Sequence, residues 1–135
     1  TLILCQGKLS YELLERKEEL GADDRAIVRT EQLYPLPEKQ LAAIFARYNR
    51  AEQVRWVQEE PENMGAWPFM HMHLHKVEGA PALGDLQVVA RHASGPPATG
   101  SGGRSASQQK KILEEAFADR ASAGNAKKVK AKVRA

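Results

Sequence analysis

Two adjacent carboxylates, three alternating histidines, a glycine-rich stretch and a single thiol are the residues here whose types and spacing suit chemistry. The carboxylates lie in Gln58-Glu59-Glu60-Pro61-Glu62-Asn63-Met64-Gly65-Ala66-Trp67, directly after an apolar run that reads as a strand. Open α/β sheets gather ligands and contacts at such strand ends. An adjacent pair there suits acid–base work or a bound cation. Neighbours on a strand point to opposite faces, however, so Glu59 and Glu60 need not converge. No nucleophile lies beside them, so Glu59, Glu60, Asn63 and Trp67 are expected to cap a helix or form an interface.

His71, His73 and His75 alternate with Met70, Met72 and Leu74. On a strand the three imidazoles share a face; on a helix His71 and His75 are i, i+4 neighbours. Either spacing suits zinc or nickel. No carboxylate completes a triad and Cys5 is remote, so solvated or hydrogen-bonded histidines are expected, and no metal site is assigned. The glycines at 95–103 invite an anion, but they match neither a Walker pattern nor G-x-G-x-x-G after a strand. Cys5 sits inside an apolar run with no His close in sequence, which reads as an inert core thiol. No catalytic constellation is assigned.

The elements that would position these groups follow from periodicity. Apolar, β-prone runs occur at Leu2–Cys5, Ala26–Arg29, Gln53–Gln58 and Leu86–Ala90. Between the first two, Leu9, Leu13, Leu14 and Leu20 fall near one helical face, and Gly21 stands where a helix would stop. A second helix is expected from Pro37, with Glu38 beside its positive end and Leu41, Ile44, Phe45 and Tyr48 at i, i+3, i+4, i+7. A last helix is expected over 105–118, after loop material at 92–105. Strand–helix alternation at this spacing predicts a three-layer α/β/α domain with a mostly parallel mixed sheet.

Composition narrows the functions. The 135 residues suit one domain, with 20 Lys and Arg against 17 Asp and Glu. Arg120, Lys127, Lys128, Lys130, Lys132 and Arg134 account for six of those bases, and no acid follows Asp119. Residues 1–119 thus carry 14 bases against 17 acids, a net charge of −3. The basic character belongs to a tail, which weakens a nucleic-acid role for the domain. Residues 119–135 lack Leu and aromatics and are expected to be disordered. A lone Cys excludes an internal disulfide and favours a reducing compartment. No apolar run reaches the roughly 18 residues a membrane span requires, and no secretion signal is visible. An apolar run starting at the first residues, after Thr1 rather than Met, points to a piece of a longer polypeptide.

Three blocks are more specific. Leu4-Cys5-Gln6-Gly7-Lys8-Leu9-Ser10-Tyr11-Glu12-Leu13 resembles L-C-S-G-K-x-Y-Y-x-L. Ala26-Ile27-Val28-Arg29-Thr30-Glu31-Gln32-Leu33-Tyr34-Pro35-Leu36-Pro37 resembles A-I-V-R-x-E-Q-L-Y-P-x-P. Trp56-Val57-Gln58-Glu59-Glu60-Pro61-Glu62-Asn63-Met64-Gly65-Ala66-Trp67 is similar to W-x-Q-E-E-P-x-N-M-G-A-W. These belong to the C-terminal domain of the E1 component of 2-oxoglutarate dehydrogenase complexes, and the resemblance covers residues 1–118.

The resemblance implies a transketolase-type C-terminal domain in an E1 that decarboxylates 2-oxoglutarate with thiamine diphosphate and Mg²⁺ and passes the succinyl group to lipoyl-E2. Cofactor residues would lie on upstream E1 domains, leaving this part to packing, homodimer assembly and regulation. An E1 for 2-oxoadipate or a 2-oxoglutarate decarboxylase is the alternative; a regulatory domain with a nucleic-acid-binding tail is the non-enzyme one. A bacterial cytoplasmic or mitochondrial matrix location is implied. The family's regulatory acetyl-CoA or AMP site maps onto Gln32, Lys39 and Gln40. A lysine in the first turn of the helix after Pro37 would meet phosphate oxygens beside that helix's positive end. The family's second basic position is Gln40 here, and its Lys-Val-His before the last helix is Gly103-Arg104-Ser105.

Overall fold

Leu2-Ile3-Leu4-Cys5 is apolar at every position because both of its faces are covered, as in the central strand of a parallel sheet. The computed structural model describes residues 1–119. In it this strand, β1 (Leu2–Cys5), is followed by α1 (Leu9–Leu20), β2 (Ala26–Arg29), α2 (Glu38–Arg47), β3 (Val54–Pro61), α3 (Trp67–His73), a 3₁₀ turn (Leu74–Lys76), β4 (Leu86–Arg91) and α4 (Gly102–Phe117). The strand order is β2-β1-β3-β4. All three ladders are parallel, so among the described residues the sheet is parallel throughout rather than mixed. Each connection carries a helix, which returns the chain to the same end of the sheet.

Strand alternation divides the core into two layers. Leu2, Leu4, Val54 and Trp56 face Leu41 and Phe45 of α2, Met70 of α3, and Leu74. Ile3, Cys5 and Val57 face Leu9 and Leu13 of α1 and Ile112, Ala116 and Phe117 of α4. The three-layer α/β/α arrangement therefore follows the apolar period of two on strands and 3.6 on helices.

Several boundaries differ from expectation. Gly21 ends α1 as anticipated, with φ +58° and its N–H donating to the Glu18 carbonyl. Pro37 sits one residue before α2, and Tyr48 just after it. The last helix starts at Gly102, three residues before the anticipated start. Its first-turn amides need no intrahelical partner, so Gly102 and Gly103 are tolerated there. β3 continues to Pro61, and its register against β4 shifts between Val57 and Pro61. The His-rich segment is helical, with Pro68 in its first turn. Residues 120–135, which hold nearly all of the anticipated disordered tail, lie outside the described residues. No helix among the described residues is long and apolar enough to cross a membrane.

Candidate functional site

Strand order reverses between β1, which continues through α1 to β2 on one side, and β3, which pairs on the other. The carboxyl ends of those two strands form the switch point where α/β sheets place ligands. Gly7-Lys8 follows β1 there, and Glu59-Glu60 closes β3. Lys8 Nζ lies 3.2 Å from Glu59 Oε1 and 3.8 Å from Glu12 Oε1. The hydrogen bond and charge of Glu59, then Glu12, hold the Lys8 pKa above its ordinary value. This exposed pair spans the switch point but adds little stability in water.

Gln58 organises the segment that follows. Its side chain, 2% exposed, accepts the Trp56 Nε1–H at 2.9 Å and the Trp67 backbone N–H at 2.8 Å. Its amide nitrogen donates to the Pro61 carbonyl at 3.0 Å and the Met64 carbonyl at 2.7 Å. Both ends of the 61–66 turn are thereby tied to one side chain. Gly65 lies within this turn at φ +66°, and a Cβ there would come 3.0 Å from the Glu60 side chain. Only glycine combines that backbone with that approach.

Of the residues assigned to capping or an interface, none of the carboxylates caps α3; the Gln58 oxygen does that work. Glu59 turns toward Lys8, while Glu60 packs over Gly65, so the two do not act as a pair. Asn63 is an internal latch: it donates to the Ser94 carbonyl and accepts the Ser94 N–H, both at 3.0 Å. That latch ties the β3 turn to the loop leading into α4. Trp67 is half-buried, its ring 4.9 Å from His71.

An open cleft of about 600 Å³ lies at this end, lined by Lys8, Glu59, Glu60, Arg91, Ser105 and Gln109 among others. It brings both charge signs to the start of α4, whose first residue has no side-chain cap. The glycine-rich stretch thus opens a helix, with Thr99 Oγ1 donating to the Ser101 carbonyl at 3.0 Å. Such a surface suits recognition of charged groups; it contains no nucleophile held by a base.

Two of the histidines pack at a tilt against aromatic rings rather than converging on a third. His71 lies over Trp67, and His73 over Phe69 at 4.4 Å, with Lys76 Nζ 3.3 Å from His73 Nδ1. The Nδ1 atoms of His71 and His75 are buried without a hydrogen bond, which differs from the solvated or hydrogen-bonded state anticipated. Among the described residues no three His, Cys, Asp or Glu side chains come together as a metal cage.

Gln32, Lys39 and Gln40 are exposed. Gln32 donates to the Pro35 carbonyl at 2.7 Å, which holds its amide against the loop before α2. Lys39 and Gln40 lie in the first turn of α2, which has no side-chain cap. No hydrogen bond or ion pair joins the three to one another among the described residues.

Cys5 is buried and directs its thiol toward the Val28 carbonyl at 3.8 Å. Burial above all, then the Glu31 carboxylate, pushes its pKa from 9.0 up to about 11 against the pull of Arg29. The unfolded thiol therefore ionises first as pH rises. Stability from this group is full below pH 9 and declines toward pH 11. Native protein is expected to lose ~1 kcal/mol relative to Cys5→Ala between about pH 8 and 10.5. Parallel unfolding curves of the two proteins across that interval would remove the assignment.

Sequence reasoning passed over Arg55 altogether. It sits in β3 at 2% exposure and donates to the Glu115, Ala116 and Ala118 carbonyls at the end of α4. Gln53 and Gln87 accept its other N–H groups at 2.6 and 3.1 Å. Arg25 joins it there, donating to Asp119 at 2.8 Å and pairing with Asp24. An arginine inside Val54-Arg55-Trp56-Val57 is itself the signal, since arginine is almost never fully buried without partners.

Comparison with known proteins accounts for the blocks that converge at this end. The family described as 2-oxoglutarate dehydrogenase C-terminal matches residues 1–117. A "2-oxoglutarate dehydrogenase E1 component" of Azotobacter vinelandii is 45% identical over 117 residues, covering 86% of this chain and 12% of that protein. A "Multifunctional 2-oxoglutarate metabolism enzyme" of Mycolicibacterium vanbaalenii is 46% identical over 116 residues, covering 86% and 9%. A "2-oxoglutarate dehydrogenase E1/E2 component" of Corynebacterium glutamicum is 41% identical over 116 residues, with the same shares. The chain thus spans about a tenth of the length of these relatives. With the switch point, the Gln58 turn and nearly all described residues inside the match, this chain belongs to the 2-oxoglutarate dehydrogenase C-terminal family.

Proposed function

We propose that this domain is the supporting and regulatory end of an E1 subunit that oxidatively decarboxylates 2-oxoglutarate and hands the succinyl group to E2. The observation that carries this reading is the family match over residues 1–117 of a segment that makes up 12% of its Azotobacter relative. Thiamine diphosphate and Mg²⁺ are assigned to polypeptide outside this chain. The described residues bring no His, Cys, Asp or Glu trio together to fit that group, and no step is derived through it. What this chain supplies is a rigid parallel sheet that presents the 59–67 segment to neighbouring E1 domains and a homodimer partner. Work in the bacterial cytoplasm or mitochondrial matrix accords with the lone reduced Cys5. A 2-oxoadipate substrate or a decarboxylase role is the second reading, since substrate choice rests with the upstream domains.

The regulatory part of the proposal concerns Lys39 at the uncapped start of α2, where free amides and the helix dipole favour a phosphate. Gln32 and Gln40 are its proposed companions for acetyl-CoA or a nucleotide. A chimera tests both parts. Residues 1–118 replace the matching segment of the Azotobacter E1, and turnover of 2-oxoglutarate is measured in the reconstituted complex. Activity within about tenfold of the parent supports the supporting role; an inactive, well-folded chimera refutes it. In an active chimera that responds to acetyl-CoA or AMP, Lys39→Ala is expected to weaken the response about 5- to 10-fold at unchanged basal turnover. An unaltered response removes Lys39 from the site.

A further inference from the structure

We draw no further inference here: the strongest candidate, the charged cleft between the carboxyl ends of β1 and β3 and the uncapped start of α4, belongs to the site already described, and nothing in the structure shows what covers it in a protein of which this chain spans about a tenth.

Discussion

Arg55→Ala is expected to lower the stability of this domain by about 4 kcal/mol in equilibrium urea unfolding. The guanidinium is buried, and its N–H groups are met by three carbonyls that end α4 and by two glutamine oxygens. Those carbonyls form the negative pole of the helix, so the cation satisfies orphan acceptors and opposes the dipole together. Burial first, and the neighbouring Arg25 cation second, lower its pKa, but a guanidinium starts high enough to remain charged. Truncation strands four acceptors around a cavity, since the Glu115 carbonyl keeps the Ala118 N–H, and each unsatisfied buried acceptor costs about 1 kcal/mol or more. Because a domain this size has only about 5–15 kcal/mol in hand, α4 should detach before the sheet melts. Arg55→Met separates the contributions. It fills the volume and removes the cost of burying a charge, which elsewhere makes such replacements neutral. Here the partners cannot leave, because they are backbone carbonyls of a docked helix, so a loss of about 3 kcal/mol is expected. A loss under about 1 kcal/mol for Arg55→Met would show that the arginine fills space rather than holding α4.

That arginine also marks where the sequence stops being legible. Leu2–Cys5 and Ala26–Arg29 could be read as strands, with these bounds, because short apolar runs between helical patterns have few other uses. Helical period placed Leu9, Leu13, Leu41 and Phe45 on the buried sides of their helices, but Leu14 and Leu20, expected on the same face as Leu9, are exposed. Arg55 and Gln58 break the apolar rule, and their partners lie 60 to 63 residues away in one case and across a turn in the other. No local pattern records such a pairing. Gly102 and Gly103 show the opposite failure: composition reads as loop, yet the first helical turn asks for nothing glycine lacks. At the site, the adjacent carboxylates at a strand end drew attention to the 59–67 segment. That signal did not reveal that Asn63 pairs with the Ser94 backbone, nor that Glu59 and Glu60 part company. Both outcomes fall at or just beyond the register shift between Val57 and Pro61, the kind of irregularity that redirects side chains at a strand end.

Gln58→Leu is expected to cost about 3 kcal/mol and to loosen the whole 59–67 segment. The amide joins two donors, Trp56 Nε1–H and Trp67 N–H, to two acceptors, the Pro61 and Met64 carbonyls. Leucine preserves volume but leaves the Trp56 Nε1–H, the Trp67 N–H and the Met64 carbonyl unmet in a site where water does not reach them easily, while the Pro61 carbonyl keeps the Met64 N–H. The Asn63–Ser94 latch depends on the same turn, so proteolysis within 61–66 and near Ser94 should accelerate together. Gln58→Glu is the more discriminating change. As a carboxylate it can still accept both N–H groups, but it faces the Pro61 and Met64 carbonyls with no proton to give. As a neutral acid it regains one donor. Burial and the facing carbonyls raise the folded pKa of this acid above its unfolded value, so the unfolded chain ionises first as pH rises. The variant should therefore be closest to wild type near pH 4 to 5 and fall behind by about 2 kcal/mol at pH 8, a dependence that Gln58→Leu lacks. Matching pH profiles for the two substitutions would mean that the amide's donor side contributes nothing to holding this turn.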